Sequence, residues 1–151
     1  MTDTDAGARI AAEFPDVVVT PGGSALTITV PVSQWLAFAQ FAKGALACRW
    51  FSFLSAVDWK DEGLEVIAWV ENTDEHFNLL LKTKLGPGQT ACPSLVSVYR
   101  GANWMERECF DMFGVVFDGH PDLRRMLLPD DWVGHPLLKS YAVDTPYPPY
   151  R

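Results

Sequence analysis

Basic residues are scarce in this chain, cysteines are few and unpaired, and no long apolar run occurs. Twelve Lys and Arg stand against nineteen Asp and Glu in 151 residues, a formal charge of −7. Phosphate recognition needs a basic patch, so this balance argues against a nucleic-acid partner. Cys48, Cys92 and Cys109 are odd in number, far apart and never in Cys-x-x-Cys spacing. That points away from a disulfide framework, a zinc knuckle or an iron–sulfur site, and towards reduced, buried thiols. Nothing approaches the ~20 consecutive apolar residues that cross a bilayer. The first nine residues carry neither the basic nor the apolar part of a secretory signal, so a cytoplasmic location is expected, with membrane contact only through a partner. Also missing are a phosphate-cradling Gly-rich loop, a Gly-x-Ser-x-Gly elbow and a dinucleotide fingerprint.

What is present is enough for one core. Hydrophobic residues make up 48% and aromatics 13% of the chain, well above a disordered composition. Asp5 caps an expected short helix to Glu13 that docks through Ile10 and Phe14. Val17 to Thr20 and Ala25 to Val30 read as a hairpin around Pro21-Gly22-Gly23-Ser24. From Ser33, offered as N-cap, to Leu46 the spacing of Trp35, Phe38, Ala39 and Ala42 predicts a helix. Strands are expected over 49–57, 65–71 and 76–84, joined by short polar connections and hence antiparallel. Ser94 opens an expected short helix to Tyr99, and Asn103 with Glu106 has capping-box spacing for a firmer helix ending at Gly114. The fold class is therefore α+β: two layers, a mixed sheet of about five strands with helices packed on one face. Residues 1–117 form the domain and 118–151 an extended tail. That tail is broken by prolines at 121, 129, 136, 146, 148 and 149 yet rich in apolar groups such as Leu123, Leu127, Leu128, Trp132, Val133, Leu137 and Leu138. Burying half of them is worth several kcal/mol at ~25 cal/mol per Å², so the tail needs a surface to cover it, on its own domain or on a partner.

Candidate chemistry is thin. Glu106, Arg107, Glu108 and Asp111 share one helix, but neighbouring helical residues point in different directions. Ion pairs of Arg124 and Arg125 with Glu106 and Glu108, or with carboxylates of another subunit, are a better expectation than acid–base catalysis, since two guanidinium forks suit carboxylates. Gly119-His120-Pro121-Asp122 and Gly134-His135-Pro136 repeat a Gly-His-Pro unit. Turn chemistry, with each His satisfying a backbone carbonyl, is the expected reading rather than a metal site.

Taken together, Trp104-Met105-Glu106-Arg107-Glu108-Cys109-Phe110-Asp111-Met112-Phe113-Gly114, then Gly119-His120-Pro121-Asp122-Leu123-Arg124-Arg125, then Gly134-His135-Pro136-Leu137 and Lys139 resemble the signature of the 30 kDa subunit, the C-type subunit, of proton-pumping NADH:quinone oxidoreductase (respiratory complex I). Where that family commonly has Pro-Leu-Arg-Lys-Asp-Tyr, this chain has Pro136-Leu137-Leu138-Lys139-Ser140-Tyr141, losing one arginine and one aspartate together. The resemblance implies a non-catalytic subunit of the quinone module on the cytoplasmic side of the membrane. It would sit beside the quinone-site large subunit (the D-type subunit) and neighbouring iron–sulfur subunits, with no cofactor of its own. FMN, iron–sulfur clusters and quinone would be held by those partners. The signature residues, with Trp132, would then form inter-subunit surface. Homologous subunits of a membrane-bound hydrogenase or formate hydrogenlyase, or of a ferredoxin- or coenzyme-F420-dependent relative, are the alternatives; a free-standing chain favours complex I.

Overall fold

The computed structural model describes residues 1–144; the far end of the expected tail, with Pro146, Pro148 and Pro149, lies outside them. The first helix, α1 (Asp3–Glu13), starts one turn earlier than its sequence spacing suggests. Thr2, not Asp5, is the N-cap, and Asp5 returns the capping-box bond from the third helical position. The hairpin forms as β1 (Val18–Thr20) and β2 (Leu26–Thr29). Ser33 does not cap α2 (Trp35–Gly44): a 3-10 turn over Val32–Gln34 leads in, with no side-chain cap.

Strands β3 (Trp50–Asp58), β4 (Leu64–Asn72) and β5 (Phe77–Gly86) follow within a residue or two of expectation. They make an antiparallel meander, and β2 joins β5 in parallel, giving the mixed sheet order β1-β2-β5-β4-β3. One face of this sheet is dry. Leu54, Val66, Ala68, Val70, Leu79 and Leu81 pack there with Trp35, Phe38, Ala39 and Ala42 of α2 and Ile10 of α1. The alternation of buried and half-buried residues along β5 is the period-2 pattern of such a one-sided sheet.

Two elements were not legible in the sequence. A parallel pair, β6 (Ala91–Pro93) and β7 (Val116–Asp118), brackets α3 (Ala102–Phe113). The expected helix from Ser94 is instead a turn, in which Ser94 Oγ accepts from Val96 N at 3.2 Å, offering the backbone an alternative to helix. α3 lies along β3, the sheet's edge strand, where Met105 Sδ accepts from Leu54 N at 3.2 Å. One amide of the open strand edge is thereby satisfied.

Candidate functional site

The last turn of α3 is where the tail is fastened. Asp111 is fully buried. Its Oδ1 receives Arg125 Nη1 at 2.7 Å, and its Oδ2 receives three successive backbone amides, Met126, Leu127 and Leu128, at 3.1, 2.8 and 3.0 Å. Burial works to raise its pKa, but the guanidinium and the three N–H groups outweigh it and hold the carboxyl below its ordinary range. Arg107, one helical turn earlier, donates to the carbonyls of Arg124 and Arg125 at 3.1 and 3.0 Å. Arg125 Nη2 reaches Gly134 O at 2.9 Å, and Leu137 N reaches Met112 O at 3.0 Å. Nearly every fastening therefore joins a charged side chain to tail backbone, the pattern open to a segment that has no ladder of its own.

The two Gly-His-Pro units serve the same clasp. His120 Nε2 lies 3.0 Å from Asn103 O while its Nδ1 accepts from Asp122 N, and His135 Nδ1 lies 2.9 Å from Asp111 O. Each imidazole thus meets a carbonyl of α3. Among the described residues no group of three or more His, Cys, Asp or Glu is placed to hold a metal ion. Gly114 ends α3 at φ +76°, and a Cβ there would lie 2.9 Å from the His135 ring. Left-handed backbone and close approach both require glycine. Gly119 and Gly134 also take positive φ, opening the turns that carry Pro121 and Pro136.

The expected pairing of carboxylates with arginines needs correction. Glu106 is neither a capping-box partner nor paired with an arginine: α3 starts at Ala102 with Gly101 as N-cap, so Glu106 falls in the helix interior. Fully buried, it sits 2.6 Å from both Ser94 Oγ and Leu95 N. Burial pushes its pKa up to about 7 against those two hydrogen bonds. Glu108 is exposed. Arg124 pairs with Asp122 two residues before it, at 2.9 Å on the surface. Only Arg125 finds a helix carboxylate, and it is that of Asp111.

Asp58 was not singled out by the sequence. It closes β3 and accepts from Lys60 N at 2.8 Å and, 81 positions on, from Lys139 N at 2.7 Å. The Lys139 amide first, then that of Lys60, hold its carboxyl below the usual range. An Asp followed by a polar turn is an ordinary Asx signal; nothing in the sequence announces its second bond. Leu138 rests half-buried against the core beside it, so this part of the tail docks without the arginine and aspartate common in the resembling family. The three thiols are buried and free, and burial pushes that of Cys48 up to about 12 and those of Cys92 and Cys109 higher. Among the described residues no helix is long and apolar enough to cross a membrane.

Several apolar side chains face outward from this arrangement. Trp104 is 68% exposed, Leu127 56%, Val133 87% and Leu137 53%. Leu123 is partly buried against the core, and Trp132 is half-buried, its backbone closing a turn on Pro129 O.

Comparison with known proteins places this geometry in a family. The C-type subunit of the NADH-quinone oxidoreductase of Moorella thermoacetica is 38% identical over 133 residues, covering 87% of this chain and 90% of its own. That of Rhodobacter capsulatus is 39% identical over 149 residues, covering 91% and 71%. A joint C/D-type subunit of the same oxidoreductase from Phocaeicola vulgatus is 42% identical over 89 residues, 58% of this chain and 17% of its own. The fold matches that of the trypsin-resistant fragment (1-134) of Nqo5, with a TM-score of 0.68 at 19% identity over 81% of this chain and 100% of that one. It also matches a chain of the membrane-bound sulfane sulfur reductase, an archaeal respiratory membrane complex, with a TM-score of 0.71 at 23% identity over 85% and 77%. The family model described as the respiratory-chain NADH dehydrogenase 30 Kd subunit matches residues 28–147, and the chain belongs to that family.

Proposed function

We propose that this chain is a structural and assembly subunit of the peripheral quinone module of a proton-translocating NADH:quinone oxidoreductase. It holds no redox centre and sits on the cytoplasmic side of the membrane beside the large, D-type quinone-site subunit and neighbouring iron–sulfur subunits. FMN, clusters and quinone belong to those partners. One observation carries the reading: Arg125 and the amides of Met126, Leu127 and Leu128 are turned inward onto Asp111 of α3, while the side chains of Leu127, Val133 and Leu137 are exposed along the tail and Trp104 is exposed on the helix. An apolar arm held rigid and left uncovered is what a docking partner requires, since preorganisation lowers the entropy cost of association. The relative whose name joins the C and D types in one polypeptide supports a D-type neighbour. The fold itself does not choose the electron donor, being shared with a chain of a sulfane sulfur reductase.

The test is a tagged chain purified from its native membranes with Leu127→Asp, Val133→Asp and Leu137→Asp combined. These side chains are exposed, so the isolated protein should keep its melting temperature. The cluster-bearing and quinone-site subunits should no longer co-purify. Retention of the full set of partners would count against the reading, as would visible absorbance from a redox centre on the isolated chain.

A further inference from the structure

Away from the tail, a cleft of about 730 Å³ opens between the end of α2, the start of β3 and the segment 96–101. Three cations, Lys43, Arg49 and Arg100, line it and no acidic residue does, although the chain as a whole carries −7. The floor is aromatic: Phe51 and Tyr99 stack at 5.0 Å with 27° between planes, and Tyr99 is locked by donating its hydroxyl to Cys48 O at 2.8 Å. Lys43 donates to Val98 O and lies 5.3 Å from the centre of the Tyr99 ring, which keeps it at the mouth of the cleft. Arg49 and Arg100 are exposed, and among the described residues neither guanidinium has a hydrogen-bond, ion-pair or ring partner. The neighbouring end of α3 has no side-chain cap and no acidic residue in its first turn, so its dipole adds to the positive field.

We infer that this cleft receives an acidic segment of another subunit, one presenting at least two carboxylates to Arg49 and Arg100 over the Phe51–Tyr99 floor. Two free guanidinium forks match carboxylates bidentately. Tyr99 is buried beneath the cleft and serves as its fixed base, while arginine is among the residue types that concentrate binding energy at protein interfaces. The cleft is open-sided, which suits an extended segment better than a small ligand, whose surface a pocket would mostly enclose. The inference rests on the chain working inside a multi-subunit complex, and not on the tail being its docking arm.

Zero-length carbodiimide coupling of the intact complex from native membranes, followed by peptide mass spectrometry, tests it. The expected product joins Lys43 to an Asp or Glu of another subunit. Its yield should fall about tenfold or more in an Arg49→Glu, Arg100→Glu double variant, whose isolated chain melts as the wild type does. Lys43→Arg, which keeps the charge, should remove that cross-link and leave the complex whole. Coupling of Lys43 only to carboxylates of its own chain, no coupling at all, or a yield indifferent to the double reversal would overturn the inference. The tail variants above do not alter the cleft, so failure of one reading is separable from failure of the other.

Discussion

The sheet-bearing body and the tail are fastened by opposite means. In the body, Trp35, Phe38, Ile28, Leu79 and Leu81 are fully buried and share the load across one apolar layer. The tail, from residue 119 to 144, has no strand or helix and is fixed at a few charged points: Asp111, Arg107, Arg125 and Asp58. A distributed core tolerates loss of one contact by losing stability evenly. A clasp made of single anchors should fail locally, leaving the body folded.

The contrast is broken most directly by a pair of substitutions. Phe38→Ala should lower the cooperative unfolding free energy by about 3–5 kcal/mol, read by denaturant titration. Asp111→Ala leaves Arg125 and three amides without their acceptor, a change that costs about 3–5 kcal/mol for a buried pair. It should appear as rapid tryptic cleavage after Arg124 and Arg125 with the body's melting transition largely kept. Acid should mimic it. Asp111 has its pKa depressed in the folded state, so its contribution is present above the unfolded value of about 3.9 and lost as pH falls through the folded one; the tail should begin to loosen as pH falls below about 4 and loosen further with more acid.

Glu106 has the reverse sign. With its pKa raised to about 7, the folded state holds the proton more tightly than the unfolded one, so stability should decline as pH rises from about 4.5 to 7 and level off above. The total is on the order of 3 kcal/mol. Glu106→Gln, able to meet Ser94 and Leu95 without charge, should flatten that slope in a pH series of melting curves. Gly114→Ala, strained at positive φ and pressed on the His135 ring, should cost about 1–3 kcal/mol. Smallest is Arg124→Ala, which removes only an exposed pair with Asp122 and should change stability by less than about 1 kcal/mol.

The antiparallel β3-β4-β5 meander, the one-faced burial and the end of α3 at Gly114 follow from features the sequence displays: alternation in β5, short polar turns between β3, β4 and β5, and a glycine closing an apolar stripe. The parallel pairing of β2 with β5, which sets the sheet order, is joined by no short turn and has no such signal. β6 and β7 are three residues each and pair across α3, too short for periodicity and too distant for turn signals. The clasp was half legible. Its residues stood out by type, but which carboxylate meets which arginine depends on how far the chain turns after Asp118. Spacing does not encode that distance. Asp111, rather than Glu106 or Glu108, faces the tail because it lies on the last turn, where residues 126–128 curl back with their amides inward.

Amide hydrogen exchange on the isolated chain and on the chain within its native complex tests the central claim that the clasped tail is a docking arm. The amides of Met126, Leu127 and Leu128 should already be protected in isolation by Asp111, and protection across 129–138 should rise on assembly. Exchange across 129–138 that is the same in both states, with new protection appearing only elsewhere, would contradict it.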